Sequence, residues 1–598
     1  MKPGFAFGDH IKTEKIRRHH YKDEGESPLR SRGILLPAVL FIAVILLVIK
    51  LFSLQLIHGS EYKKLSDSNR TRTYVIRAPR GVIFDRNGLP LVYNMPGFLQ
   101  TRRDKNGKVL STTHLSKDEA LSLIAKGDKS VEVDSLRQYP YKEAMSHVLG
   151  YIGQISEDEF KSPLFANYLA NDWLGKSGIE RQYEGFLRGT SGRQLIEVDA
   201  LGKAVRLLGR TDPIPGQDIT LTLDAKLQQA VFEATRDVKK GAVIVAKPDG
   251  EILAMLSKPS FDPNLFTLDS TYKPASDSAY FSIESMLTDG SNQPLLDRAI
   301  AGTYPPGSTF KIVTAASGLE KKIIDDNYRV EDTGVVKIGD FSFANWYYTQ
   351  YGRTEPGELD VTRALARSND IFFYKLAEKI GVDRLSVTAK EFGIGSKLGI
   401  DLSGEQAGIV PNKQWKKDVI KEDWYLGDTY HYGIGQGFLL TTPLQVNAWT
   451  QVIANGGTLF KPRIMESADR KEIRKNIVSD KTIGLVRQGM IDSCSTGGVA
   501  WPLFNFAVKN PKLKIDGKNI TEVATGSADM RHVVVACKTG TAQHGGEDTL
   551  PHAWITLFAP AYKPEIVVTV LVESAGEGSS VAGPVAKKIL DAYFTEKK

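Results

Sequence analysis

The stretch YPPGSTFKIVTAASGLE, residues 304–320, decides how the rest of the chain is read. Pro305, Pro306 and Gly307 cannot continue a helix, so a helix is expected to begin at about Ser308. That puts Ser308 in the first turn, where free backbone N–H groups and the helix dipole favour developing negative charge. Lys311 follows three residues later and shares its face, so Lys311 Nζ is expected to reach Ser308 Oγ. A serine hydroxyl is a weak nucleophile until a base accepts its proton. Lysine, with a reference pKa of roughly 10.4, becomes such a base when burial or a second cation lowers that value. The apolar run IVTAA after Lys311 supplies the burial. Ser-x-x-Lys alone is weak evidence. It recurs at Ser60–Lys63 and Ser270–Lys273, where nothing suggests catalysis, and its ordinary meaning is a solvated helix pair.

Two later segments give the first one weight. ARSNDIFFYKLAEKIG, residues 366–381, places Ser368-Asn369-Asp370 just before an apolar helical pattern. The bland reading of such residues is a helix N-cap. VVVACKTGTAQ, residues 533–543, ends a β-branched run in Lys538-Thr539-Gly540-Thr541. On a strand Lys538 and Gly540 share one face and Thr539 takes the other, and Gly540 allows a ligand backbone to approach. The lysine, the threonine hydroxyls and the backbone N–H groups suit a carboxylate. Lys176-Ser177-Gly178 has a similar shape but precedes the serine and sits in a different region.

The flanks set the fold class. GAVIVAK and EILAMLS flank Pro248-Asp249-Gly250 as a hairpin, and VVVACKTGTA, HAWITLFA and EIVVTVLVES read as three more strands. DITLTLD, residues 218–224, alternates with period two and is expected to form a strand, followed by a helix over LQQAVFEATRDV. The chain from 308 to about 450 is mainly helical in pattern, and PVAKKILDAYF closes it as an amphipathic helix. Two early and three late strands around a helical insert imply an α/β sandwich with a five-stranded antiparallel sheet flanked by helices. Upstream, RTYVIRAPRGVIFDRNGLPLVYN reads as strands broken at Pro79-Arg80-Gly81 and at Asn87-Gly88. No nucleophile–base pair or metal-ligand spacing is found there, which suggests a β-rich spacer or docking domain ending near DPIPG, residues 212–216.

With 598 residues, 41% hydrophobic and 25% charged, the chain is expected to fold into more than one domain. A net charge of +7 is small for this length and carries no nucleic-acid signature. GILLPAVLFIAVILLVI, residues 33–49, is uncharged, and the apolar run resumes after Lys50 to reach Ile57. That length crosses a bilayer as an uncleaved anchor. In residues 1–32, eight Lys and Arg face five acids, which keeps this tail in the cytoplasm and everything after residue 57 outside. The two cysteines, Cys494 and Cys537, exclude a disulfide-rich scaffold. A single bond between them is possible, but two separate buried thiols are the expectation.

Ser-x-x-Lys, Ser-Asp-Asn and Lys-Thr-Gly in that order mark penicillin-binding proteins and class A β-lactamases. With YPPGSTFK, SND, WYLGDT, GIGQG, TPLQ and CKTGTAQ, the chain resembles a class B penicillin-binding protein. It is most similar to the penicillin-binding protein 2 type that serves the elongation machinery. NRTRTYVIRAPRGVIFDRNGLPLVYN and GKSGIERQYEGFLRGTSGRQLIEVDALGK look like the family's pedestal motifs. The resemblance covers almost everything after residue 33. It implies a cytoplasmic tail over 1–32, a transmembrane helix over 33–57, a pedestal over 58–215 and a transpeptidase domain over 216–598. The activity implied is cross-linking of peptidoglycan stem peptides outside the membrane, with β-lactams as inhibitors.

Carried over, Ser308 is the acylated nucleophile, Lys311 its base and Ser368 a proton relay, with Asp370 at the third position of that motif. Lys538, Thr539, Gly540 and Thr541 hold the carboxylate end of a D-Ala-D-Ala donor, and Asn369 is counted among the substrate-binding residues. The N–H groups of Ser308 and Thr541 form the oxyanion hole. Asp370 departs from the commoner asparagine and matches the Ser-x-Asp form of that subfamily, while Cys537 replaces the usual glycine. Some relatives bind zinc with a Cys/His/Asp cluster between the first two motifs. Residues 312–367 hold no Cys or His, so neither that metal nor any cofactor is expected. Analogy implies a glycan polymerase of the shape, elongation, division and sporulation (SEDS) type as partner, with other elongation proteins. A D,D-carboxypeptidase, a β-lactamase of the same fold, and a non-catalytic penicillin sensor or scaffold stay open as alternatives.

Overall fold

The computed structural model describes residues 32–596 except 104–108, 129, 169–171, 200–203, 269–270, 511–529 and 547–548. The basic tail over 1–31 lies outside the described residues. The chain divides into two compact units, Met1–Val75 with Arg193–Thr211, and Ile76–Gly192 with Asp212–Lys598.

In the first unit, the helix Arg32–Phe52 runs on through a wider turn, Ser53–Ile57. Leu36–Ile57 is 22 residues long, apolar enough to cross a membrane, and has none of its side chains buried against protein. A three-stranded sheet follows, with Gly192–Val198 between Thr71–Ile76 and Ala204–Thr211.

The second unit opens with the pedestal strands Ile83–Phe84, Pro90–Arg103, Val109–Leu115 and Val131–Gln138. The two quoted pedestal motifs meet in a buried ion cluster. Arg80 Nη2 lies 2.7 Å from Glu180 Oε2 and 2.8 Å from Glu184 Oε2, and Arg137 Nε lies 2.7 Å from Glu180 Oε1. Charges this deep are tolerated because each is paired. The strand expected over 218–224 is cut to Ile219–Thr220 and pairs in parallel with Ile83–Phe84. It stops because Asp224 caps the next helix, its carboxylate accepting from Lys226 N and Leu227 N. Leu221 and Leu223 are nonetheless buried.

That helix is α1, Ala225–Ala234. Strands β1, Gly241–Ala246, and β2, Ile252–Lys258, form the expected hairpin, with Gly250 at φ +88° in its turn. The helical insert carries α2, Lys311–Glu320; α3, Trp346–Tyr351; α4, Val361–Ala366; α5, Asp370–Ile380; α6, Pro443–Ala454; and α7, Asp480–Ser493. It also contains short hairpins that the helical pattern hid, such as Val335–Ile338 with Phe341–Ala344. Strands β3, Ala536–Ala542; β4, His552–Ala559; and β5, Ile566–Val572 complete the sheet before α8, Ala582–Glu596.

The sheet order is β2-β1-β5-β4-β3, antiparallel throughout. Every residue of β1, β4 and β5 is buried, because helices cover both faces. Val243, Val245, Ile555 and Val570 meet Leu227 and Val231 of α1 and Ile589, Leu590 and Phe594 of α8. Ile244, Trp554 and Leu571 meet Phe310, Val313 and Trp449 of the insert. β3, the strand with the lysine, is therefore an edge strand.

The two cysteines are bonded to each other, against the expectation of separate thiols. Cys494 caps the C-terminus of α7, and α7 packs on β3, which brings the Cα atoms to 5.8 Å. Both cysteines are buried, as expected, but a contact across 43 residues leaves no mark in local pattern.

Candidate active site

Ser308 lies in a tight turn, Gly307–Phe310, that leads directly into α2. The helix thus begins where the prolines and glycine imply, with one 3₁₀ turn before the α-helix. Gly307 sits at φ +55° and its N–H donates to Gly435 O at 2.9 Å. Gly435 belongs to GIGQG. A Cβ on it would lie 2.1 Å from Gly307 O, so only glycine lets the two backbones meet. Ser308 itself is half-exposed, while its neighbours Thr309 and Phe310 are fully buried.

Lys311 is completely buried. Its Nζ donates to Asp370 Oδ1 at 2.6 Å, to Ser368 O at 2.7 Å and, at the limit of bonding, to Ser368 Oγ at 3.5 Å. The expected bond from Lys311 to Ser308 Oγ is replaced by these. A charge-assisted bond to a carboxylate is roughly twice as strong as one between neutral groups, which favours the contact with Asp370. Burial pushes the Lys311 ammonium below its ordinary value, and Asp370 pulls against that shift.

Ser368 joins α4 to α5. Its N–H and that of Asn369 close α4 by bonding Leu365 O and Ala364 O, which forces Ser368 to φ +53°. That left-handed conformation is uncommon for serine and costs of order 1 kcal/mol or more. It turns Oγ toward the second lysine: Lys538 Nζ donates to Ser368 Oγ at 2.8 Å. Lys538 is also completely buried. Burial first, and then the nearby Lys311 charge, drive it well below the ordinary lysine value. Two buried lysines from distant parts of the chain therefore converge on one serine.

Asn369 does not fit the substrate-binding role expected of it. It is completely buried, its Oδ1 accepts from Phe372 N at 2.9 Å and its Nδ2 donates to Asp332 Oδ2 at 2.9 Å. Both ends of the amide are spent on capping α5 and on the protein behind it. Asp370 is nearly as buried and takes Trp346 N on its second oxygen at 2.9 Å.

β3 lies against the serine turn at Gly540, where a Cβ would stand 3.0 Å from Pro306 O and 3.1 Å from Thr309 Cγ2. Thr539 is nearly covered and Thr541 is exposed. Thr541 O accepts from Gln436 Nε2 at 3.3 Å, and Thr539 O from Lys538 Nζ at 3.0 Å. Neither donor belongs to the neighbouring strand β4. In an antiparallel pair the N–H and C=O of one residue point to the same side, so the N–H groups of Thr539 and Thr541 face the open edge. The arrangement offers a half-exposed hydroxyl at a helix start, two buried amines and a free strand edge, which suits acyl transfer on an extended peptide bearing a carboxylate.

Sequence reasoning missed Gln436, although GIGQG was singled out. It also missed Asp332 and Asn345, which lie in a turn-rich segment where such residues read as loop chemistry.

Residues 240–591 match the penicillin binding protein transpeptidase domain family, and residues 109–221 the penicillin-binding protein dimerisation domain family. The chain is 31% identical to the peptidoglycan D,D-transpeptidase MrdA of Acinetobacter baumannii over 95% of its own length and 88% of the relative's. Its fold is similar to that of PBP2 from Helicobacter pylori in complex with MreC, with a TM-score of 0.70, 28% identity and coverage of 88% and 98%. It is also similar to Pseudomonas aeruginosa PBP2 in complex with WCK 5153, with a TM-score of 0.66, 32% identity and coverage of 88% and 97%.

Proposed function

The chain belongs to the penicillin-binding protein transpeptidase family, and from that premise we propose that it is a membrane-anchored peptidoglycan D,D-transpeptidase of the elongation type. It works through an acyl-enzyme on Ser308. The observation that carries this reading is the convergence of Lys311 and Lys538 on Ser368, beside the turn that bears Ser308.

In the first step Ser308 Oγ bonds to the carbonyl carbon of the penultimate D-Ala, and the amide bond to the terminal D-Ala breaks. The proton from Ser308 passes to the Lys311 amine, the form that burial favours and Asp370 opposes, and on through Ser368 Oγ to the departing amine. The negative charge on the carbonyl oxygen falls between the N–H groups of Ser308 and Thr541. Lys538, with Thr539 and Thr541, holds the terminal carboxylate of the donor. A carboxylate beside Nζ offsets the penalty that burial places on the ammonium. In the second step an amine of a neighbouring stem peptide attacks the ester, and its proton returns along the same path to Ser308 Oγ. β-Lactams acylate Ser308 in place of the donor.

The segment 33–57 anchors the enzyme, with 1–32 in the cytoplasm and the pedestal and transpeptidase domains outside. The charge balance of the tail supports that orientation. A SEDS-type polymerase and elongation proteins are the partners, a reading supported by the relative that is in complex with MreC. The test is product analysis with stem-peptide substrates. Release of D-Ala with formation of a cross-linked dimer is expected. D-Ala released without the dimer would indicate a carboxypeptidase, and rapid turnover of penicillin a β-lactamase.

A further inference from the structure

Asp370 matters because it faces the base, yet its motif does not explain what holds its carboxylate there. The answer lies in the excursion between α2 and α4. Asp332 is almost completely buried, and four N–H groups converge on its carboxylate. Oδ2 accepts from Asn345 Nδ2 at 2.7 Å, Asn369 Nδ2 at 2.9 Å and Glu355 N at 3.0 Å, while Oδ1 accepts from Gly334 N at 2.8 Å. The donors fix both oxygens, as a buried carboxylate requires.

Asn345, completely buried, carries that order to Asp370. Its Nδ2 is taken by Asp332, which orients the amide so that Oδ1 accepts from Asp370 N at 3.1 Å. The next residue, Trp346, begins α3, and its N–H donates to Asp370 Oδ2 at 2.9 Å. Asp370 is thus gripped at its backbone and at one oxygen, leaving Oδ1 for Lys311 Nζ at 2.6 Å.

We propose that Asp332 and Asn345 are positioning residues for the acyl-transfer reaction, forming a polar knot that holds the Asp370 carboxylate on Lys311 Nζ. The proposal rests on the functional reading above and adds two residues to it. Without the knot Asp370 is free to swing out, and Lys311 loses its anionic partner and its alignment together. The charged and titratable groups around this pair are Lys538 from β3, Tyr374 from α5, and, around the knot, Glu355 with Arg367, whose Nε donates to it at 2.7 Å.

The sign of the effect follows. Asp370 raises the Lys311 value against the lowering by burial. Removing its charge from Nζ drops that value further, so the neutral amine appears at lower pH. The experiment measures the second-order rate of acylation by a fluorescent penicillin against pH, using the full chain in detergent. Asn345→Ala, the shape-conserving Asp332→Asn and a control, Asn455→Ala, are compared with the parent. Asn455 bonds Pro248 O and Thr458 O, away from the site. Melting curves give the folded fraction of each variant.

The expected result for both knot variants is an acid limb moved to lower pH by half a unit or more, with a plateau at least tenfold lower per folded molecule. The Asn455→Ala limb stays with the parent. An unmoved limb in both knot variants overturns the proposal, whatever happens to the plateau. A parent that the penicillin does not label refutes the functional reading and the proposal with it.

Discussion

Lys538 is the residue on which stability and function pull apart. Its folded-state value lies well below the ordinary 10.5, because burial and Lys311 disfavour the charge. The unfolded chain therefore binds more protons between the two values, and stability rises with pH across that window. The cost is full below the folded value and fades as pH climbs through it. Lys538→Met is accordingly expected to melt higher than the parent at pH 7, with the difference shrinking towards pH 10, while acylation is lost. A difference that stays constant with pH would contradict this. Ser308, Lys311 and Lys538 were legible in the sequence because their signals are local: prolines before a helix, a three-residue spacing, a β-branched run. The bonding of Lys311 was not legible, since its carboxylate lies 59 residues away and only folding shows that Asp370 outcompetes Ser308. Asn369 shows the reverse case. The plain N-cap meaning of its position is what the structure contains.

The serine turn and the edge strand β3 must approach closely, and each contact between them can be tested. A Cβ at Gly540 would be held within 3.0–3.1 Å of Pro306 O, Thr309 Cγ2 and Trp554 Cβ, two of them on the serine turn or just before it. Gly540→Ala is expected to force the turn off the strand, at about 1–3 kcal/mol for overpacking. Acylation should fall at least tenfold while the protein still folds, and an unchanged rate would show that the contact does not set the geometry. From behind, the Cys494–Cys537 bond ties β3 to the end of α7, one residue before Lys538. Closing a 43-residue separation is worth about 4 kcal/mol by loop entropy. Cys494→Ala with Cys537→Ala is expected to lower the melting temperature by several degrees, and a loss of less than one degree would count against the clamp. All five strands of the sheet were readable as elements because each follows or carries an apolar run beside a turn signal, although Val533–Val535 lie just before β3 and not in it. The strand expected over 218–224 was not readable, because period two gives no sign of a cap at Asp224 that ends it.

At the scale of the whole molecule, the part that matches the dimerisation family, residues 109–221, precedes the part that matches the transpeptidase family, residues 240–591, and among the described residues one helix, Leu36–Ile57, is apolar enough to cross a membrane. The helix was plain from its lack of charge. The buried cluster of Arg80, Arg137, Glu180 and Glu184 was not, since paired charges on separate motifs look like solvated ones until they meet. Protease added outside spheroplasts or protoplasts should digest the chain beyond residue 57 and spare the anchor. Protection of the large fragment would reverse the proposed orientation. Everything else depends on where the chain becomes covalently bound. The direct measurement is peptide mapping by mass spectrometry after brief exposure to penicillin. The account predicts a single penicilloyl group, on the peptide that contains Ser308, and none in the Ser308→Ala protein. An adduct on any other residue, or one that survives that substitution, would contradict it.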